Sequence, residues 1–518
     1  MTWLTGGALA VDLLLVVGLI ALVAGRGFGH FWQGPLLQVE LEDGSLRMGE
    51  LRGRESSATG EDRMRLQIGN RELTGLDFVW IAEAQVREIS EPRDAVLLER
   101  REWGRFYGFA VALHAAGSTV EGRERVWRDL PAARARTAEM QREVTQLRNS
   151  RLADVDRRIE ALRRERRAYE RAGEVEPAAL GPELGSLERR SSALAATLRE
   201  RETALLADRL VLEAVDGARV EIPVAHVVRA LRPNAQGLWA RTGLYLSRLG
   251  EFLWDDPRES NTEGGVFPAI FGTLLMVFIT SAAVGPFGVL AAVYLREYAK
   301  SGLAVRIVRV AVHSLAGVPS IVFGVFGLGF FVYGVGGALD SLFFEDRLPA
   351  PTFGTGGILW ASLTLALLTV PVVIVSTEEG LAAVPRLVRE GSLALGATRW
   401  ETLRRVVLPA AAPGVLTGLI LAMARAAGEV APLMIVGMVK LAPSLPVDGH
   451  FPFVHLERKF MHLGFHIFDV GFQSPNVEAA QPLVYATSLL LILVVLSTNL
   501  AAILLRNRLR AKFAGSGV

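Results

Sequence analysis

The 518-residue chain has no cysteine, which excludes disulfide bridges, thiolate metal sites and cysteine nucleophiles. It also lacks any G-x-x-x-x-G-K-[ST] stretch, the loop whose backbone amides cradle nucleotide phosphates. The formal net charge is only +2, too small an excess to argue for nucleic-acid binding. Histidines are few, and isolated ones such as His313 read as packed or interfacial groups rather than catalytic ones. No acid–base or nucleophile constellation stands out, so an enzyme is the weakest reading.

Apolar surface is what the chain does have. Hydrophobic residues make up 51% and the mean hydropathy is +0.32, more apolar than an ordinary soluble protein. Charged residues still amount to 21%, so the two kinds must be segregated along the chain. Six runs are long enough to cross about 30 Å of hydrocarbon: 3–24, 266–295, 307–335, 357–374, 412–436 and 483–505. The first lacks a basic n-region and a small-x-small cleavage site, so it reads as a retained anchor rather than a signal peptide. The expected fold is therefore an all-α six-span membrane protein with an α+β domain between its first two spans. The boundaries run 1–25 for the first helix, 26–262 for the inserted domain, 263–510 for the membrane core and 511–518 for a tail.

Basic residues in short loops set the orientation. Arg296, Lys300, Arg306 and Arg309 flank the second loop, Arg386, Arg389, Arg399, Arg404 and Arg405 the fourth, and Arg506, Arg508, Arg510 and Lys512 follow the last span. The loop between spans three and four carries only Arg347, beside Asp340, Glu345 and Asp346. Both termini are thus expected in the cytoplasm and segment 26–262 outside it. That segment is arginine-rich, but long segments translocate largely regardless of charge.

Within it, Leu37, Val39 and Leu41 alternate up to Asp43-Gly44; Met64, Leu66 and Ile68 alternate up to Gly69-Asn70. Leu210, Leu212 and Ala214 lead to Asp216-Gly217, with Val220 and Ile222 beyond. Alternation ending in such turns predicts hairpins in a small β unit. Two charged stretches between them, 123–171 and 183–208, read as helices. Val144, Leu147, Val155, Ile159 and Leu162 stripe the first; Leu187, Leu194, Leu198 and Leu205 repeat at heptad-like spacing on the second. With "GEVEPAALGP" as the turn, they predict an antiparallel coiled-coil hairpin. It reads first as a solvated arm, with partner docking as the alternative.

The fifth run, "GVLTGLILAMARAAGEVAPLMIVGM", holds Arg425 and Glu429. A charge at a helix centre costs roughly 2.5–3.5 kcal/mol on insertion scales. At i and i+4 the two would share a helix face and pair, with Ala424, Ala426, Ala427 and Gly428 permitting close helix approach. Two readings stand side by side: an ion pair that ties helices together, or a charged lining for an ion pathway.

The loop before it, "REGSLALGATRWETLRRVVLPAAAPG", reads as an amphipathic helix, a break at Gly396, a basic second helix and a proline that starts span five. Its Glu390, Gly391, Ser392, Gly396, Val406, Leu408 and Pro409 resemble the E-A-A-x3-G-x9-I-x-L-P signature of ABC-importer permeases, with small residues for the alanines and valine for isoleucine. The resemblance implies the type I importer permease fold, with about 378–410 as the loop that docks on an ATPase. Since this chain has no P-loop, the ATPase would be a separate polypeptide, using ATP and Mg while this chain binds no cofactor.

"RAAGEVAPL" resembles the R-A-x-G-E-T-A-P-L signature of the A-type membrane subunit of the phosphate importer, the PstA family, with Val430 departing from threonine. "GTLLMVFITSAAVGPFGVLAAVYLREYA" and "LAGVPSIVFGVFGLGFF" are similar to that subunit too, so the likeness covers about residue 265 onward plus the first span. It implies a subunit of the bacterial inner membrane. The implied partners are a homologous C-type permease, two ATPase copies and a periplasmic phosphate-binding protein. It also implies phosphate translocation by Arg425 and Glu429. Arginine suits an oxyanion because its planar fork donates two parallel hydrogen bonds. The rivals are a permease for sulfate or molybdate on the same fold, and a membrane sensor whose spans only anchor an outer domain.

Overall fold

A computed structural model describes residues 2–56, 62–258, 261–300, 302–474 and 477–514. The last four residues of the expected tail 511–518 lie outside the described residues. The chain forms two compact units, one of Phe31–Phe252 with Pro257–Gly265, the other of Met1–His30, Leu253–Asp256 and Val266–Val518.

The first of these units is richer in strands than the sequence suggested. Strands β1 (Leu36–Leu41), β2 (Leu46–Ser56), β3 (Asp62–Gln67), β4 (Phe78–Ala82) and β5 (Val86–Ser90) make an antiparallel sheet in the order β4-β3-β2-β1-β5. A second sheet has β6 (Val96–Arg100), β7 (Arg105–Ala115), β8 (Ser118–Glu121), β9 (Arg209–Glu213), β10 (Arg219–Pro223) and β11 (Val227–Leu231), ordered β10-β9-β7-β6-β11 with β8 also on β7. Both Asp-Gly turns close hairpins. Asp43 Oδ1 accepts from the Ser45 amide at 2.8 Å, and Asp216 Oδ1 from the Ala218 amide at 3.0 Å. Gly69-Asn70 does not close one. A helical turn, Arg71–Thr74, intervenes before β4, and the Asn70 side chain instead imitates a backbone partner for Tyr107, bonding its N–H and C=O at 2.8 Å each. The central strands β6 and β7 show no alternation in sequence because β6 and residues 106–110 of β7 are buried without a break, and such runs cannot be told from buried helix by period.

Helix Arg123–Gln146 continues through one π-helical stretch, Leu147–Leu152, into Ala153–Ala172, and Leu180–Leu205 returns along it. Val126, Leu130 and Ala133 root the pair in the core of the second sheet. Farther out, Val155, Ile159 and Leu162 pack on Leu184 with Leu187 and Leu194, flanked by Arg158–Glu183 and Arg163–Glu188 ion pairs at 2.8 Å.

Glu50 lies buried on β2, and its carboxylate takes Arg105 at 2.9 Å, Tyr107 Oη at 3.0 Å and Arg52 at 2.8 Å. Burial alone would raise its pKa, but Arg52 and Arg105 outweigh it and hold the group at about 2. The folded value is below the unfolded one, so the stabilisation is complete above about pH 4.5 and disappears as pH falls toward 2. It is worth about 3 kcal/mol at most. We expect amide exchange in β7 of the full-length chain to accelerate as pH is lowered through this window, after correction for intrinsic exchange. Glu50→Gln should remove that acid dependence and accelerate exchange at pH 7; an unchanged pH profile would refute the assignment.

Among the described residues, the other unit holds six helices long and apolar enough to cross a membrane: Trp3–Gly29, Phe267–Tyr298, Ser320–Phe343, Ile358–Ala382, Arg399–Gly428 and Ala480–Arg508. Span four runs on to Ala382, past the expected end at 374, and two more spans differ from expectation. The run read as 307–335 is broken, because Pro319 has no amide to continue a helix and keeps Val318 out of helical geometry. Leu303–Leu315 is consequently a separate amphipathic helix, and the span begins at Ser320. Span five starts well before residue 412 and stops at Gly428 rather than near 436. Pro409 does not open a new helix. It sits inside a continuous one, preceded by the π-helical stretch Leu403–Val407, whose wider turn accommodates the carbonyl that a proline ring would strike four residues back. Spans four and five touch through backbone: a Cβ on Gly414 would stand 2.5 Å from Gly380 Cα.

Candidate functional site

The pair at the end of span five stands at a break, which corrects the picture of one helix face. The helix Leu408–Gly428 ends, Glu429 takes extended geometry at φ −83° and ψ 130°, and a short helix, Ala431–Val436, follows. Pro432 explains why helix does not run through, since it has no amide to bond the Gly428 carbonyl four residues back and its ring would strike that carbonyl. Arg425 Nε still reaches Glu429 Oε1, at 3.4 Å. This is a single loose approach, not a bidentate fork, and among the described residues Glu429 is the one acidic partner of Arg425. Their side chains are 33% and 22% exposed, whereas neighbouring Ala426 and Ala427 are buried with Met276, Phe323, Leu365 and Leu433. The backbone is thus locked in the core while both charged ends reach its boundary. A cation in the last helical turn also complements the negative end of the helix dipole.

The break is clamped on two sides. A Cβ on Gly324 would come within 2.7 Å of Pro432 Cα, and one on Gly464 within 2.6 Å of Val430 Cγ2. The segment carrying Gly464 brings a group that sequence reasoning passed over. Asp469, nearly inaccessible, pairs with Lys440 at 3.1 Å. His462 and His466 nearby are buried, and burial pushes both down to about 4, so they are neutral at physiological pH. No spacing rule would have joined Lys440 to Asp469, because the join depends on a long loop folding back: the Val439 amide bonds the Phe460 carbonyl at 3.0 Å.

The residues of the EAA-like pattern lie together on one loop. Helix Arg386–Ala394 carries Glu390, Gly391 and Ser392; Gly396 turns the chain at φ +88°; and Thr398 caps the following helix. Thr398 and Glu401 form a capping box, Oγ1 taking the Glu401 amide at 3.3 Å and the carboxylate taking the Thr398 amide at 2.9 Å. The T-x-x-E spacing announces this cap, and it was overlooked. Ser392 Oγ meets Thr402 Oγ1 at 2.9 Å across the turn. Val407 and Leu403 are buried with Leu381, Val384 and Val293, which fixes the base of the loop, and Val406 and Leu408 are half-buried beside them. Arg389 bonds Glu297 at 2.5 Å and the Leu381 carbonyl at 2.6 Å. The tip is left open: Glu390, Leu387, Leu395 and Trp400 are all exposed.

A family model for the binding-protein-dependent transport system inner membrane component matches residues 285–512. The probable ABC transporter permease protein YqgI of Bacillus subtilis (strain 168) is 32% identical over 244 residues, 46% of this chain and 76% of that protein. The phosphate transport system permease protein PstA 1 of Mycobacterium tuberculosis (strain ATCC 25618 / H37Rv) is 34% identical over 244 residues, 47% of this chain and 70% of its own length. The probable ABC transporter permease protein YqgH of the same Bacillus strain is 33% identical over 204 residues, and the chain spans 62% of it.

The chain therefore belongs to the family of ABC-importer inner-membrane permeases. Within that family its kinship is with the PstA type. It is a multi-pass membrane permease subunit, and in this family ATP hydrolysis belongs to a separate chain. The unit Phe31–Phe252 lies wholly outside the family match.

Proposed function

We propose that this permease carries inorganic phosphate inward as half of the translocation path, with Arg425 as the transient oxyanion ligand. The observation that carries the reading is an arginine one third exposed, loosely held by Glu429, at a helix break on the boundary of an apolar core. Discontinuous helices are where transporters place binding sites for charged substrates, and intramembrane ionisable groups usually mark ion pathways. Glu429 occupies Arg425 when the path is empty, and an arriving phosphate displaces it, taking both donors of the guanidinium fork. The loop around Glu390–Pro409 receives the ATPase, its open tip seated on that partner and its buried base passing the motion to span five. The complete importer would add a second, C-type permease, two ATPase copies and a periplasmic phosphate-binding protein. The test of substrate is competition: excess phosphate should abolish labelled phosphate uptake and excess sulfate should not. The reverse would assign the path to another oxyanion.

Both termini are cytoplasmic and the unit Phe31–Phe252 is periplasmic in this proposal, its helical arm an antiparallel coiled coil. A chain without cysteine makes the orientation easy to check. A cysteine placed at Gly173 should react with an impermeant thiol reagent from outside intact spheroplasts, and one at Thr398 only after lysis. Equal labelling of both from one side would overturn the arrangement.

A further inference from the structure

We propose that Tyr294–Lys300 and the helix Leu303–Leu315 form a binding platform for anionic phospholipid headgroups, tied mechanically to the loop that carries Gly396. Three observations converge on it. The helix Leu303–Leu315 has 13 residues, far short of the roughly 20 a span needs, and no residue of it is buried. Its inner face is spoken for: Val305 and Val312 pack on Ala292, Leu295 and Ile374. Its outer face is a stripe of Leu303, Ile307 and Val310, between 59% and 74% exposed, at the i, i+4, i+7 spacing of one helix side.

Charge and aromatic placement say what covers that stripe. Arg306 and His313 border it, and Arg296 and Lys300 are exposed just before it. Tyr294 and Tyr298, also exposed, close the second membrane helix. Tyrosines at the end of a span mark the headgroup level of a bilayer. A helix with an apolar stripe and a basic border lies in that interface plane, its apolar side among the acyl chains. Basic side chains there attract anionic headgroups, an attraction that fades within a Debye length.

The platform has two attachments to the rest of the unit. Arg309 leaves the helix inward to Glu378 at 3.2 Å and to the Leu295 carbonyl at 3.4 Å. Glu297, within the platform, is the partner of Arg389 on the helix that precedes Gly396. A lipid that holds this segment at the interface thereby holds one end of the loop's first helix. The proposal rests on the membrane-spanning fold and not on the identity of the substrate.

The test places a single cysteine at Ile307 in the full-length chain, labels it with an environment-sensitive fluorophore, and assembles it in nanodiscs of phosphatidylcholine with or without phosphatidylglycerol. Lipids with a quencher near the headgroup should quench the label at least twofold more than lipids quenched at the chain end. Phosphatidylglycerol should strengthen that quenching, and in a Lys300→Gln, Arg306→Gln background the phosphatidylglycerol effect should vanish while quenching itself persists. A label that no lipid quenches would place the helix against protein or water, and equal behaviour in both lipid mixtures would remove the anionic preference. Either result overturns the proposal. Normal phosphate uptake or its absence would not enter the reading.

Discussion

Phosphate uptake should collapse in Arg425→Lys although the positive charge is kept. An ammonium is a point charge without the planar fork, and it cannot offer two parallel bonds to one oxyanion. A charge-assisted hydrogen bond is worth roughly 1.5–3 kcal/mol, so losing one in the rate-limiting complex should slow uptake roughly 10- to 100-fold. Arg425→Gln should be slower still. Both variants should insert and assemble, because the side chain is a third exposed and the residues that lock the backbone, Ala426 and Ala427, are untouched. The competing account makes the pair purely structural. Breaking a fully buried pair costs about 3–5 kcal/mol, but exposures of 33% and 22% reduce that figure considerably. Arg425→Met with Glu429→Leu separates the two accounts. A structural pair predicts that the double variant regains assembly and uptake together. A phosphate ligand predicts a well-assembled complex that transports nothing. Uptake restored in that variant, at normal expression, would eliminate the pathway reading.

Much of the membrane unit was legible because hydrocarbon imposes a single rule. Every backbone amide must be satisfied within the span, so length and hydropathy nearly suffice, and six helices emerged near their expected places. The two spans read through a break share one cause. Hydropathy measures composition and is blind to a break, so "HSLAGVPS" and "RAAGEVAPL" were read through when Pro319 and Pro432 stop the helix. The second of these breaks matters most, since it changes Arg425 and Glu429 from neighbours on a helix face into a pair at a helix end. The inserted unit was less legible. Its Asp-Gly turns are local chemistry and were readable, whereas β6 and β7 are recognised only by what buries them on both sides. The anchoring contacts of the candidate site, such as Arg389 with Glu297 and Lys440 with Asp469, join residues far apart in the chain and leave no trace in spacing.

Gly396 offers the second large effect. Its φ of +88° lies where a side chain is costly, about 1–2 kcal/mol, yet a Cβ there would meet nothing within 4 Å. Crowding within this chain is thus absent, and a substitution at this position acts through backbone geometry or through the surface the tip presents. Gly396→Val should relax the turn toward negative φ and re-aim the exposed Leu395 and Trp400 relative to helix Arg386–Ala394. If this tip seats the ATPase, uptake should fall at least about tenfold, corresponding to a loss of about 1.4 kcal/mol in coupling, while ATP hydrolysis continues or the ATPase fails to co-purify. Gly396→Asn is the matched control, because asparagine tolerates left-handed geometry far better than valine does. It should retain most of the uptake despite being the more polar change. The base of the loop should not respond to either variant, since Leu403 and Val407 remain buried against Leu381 and Val293. Equal loss in the valine and asparagine variants would mean that the tip is read by its surface rather than its shape. Normal uptake with normal ATPase recovery in the valine variant would remove this loop from the coupling path.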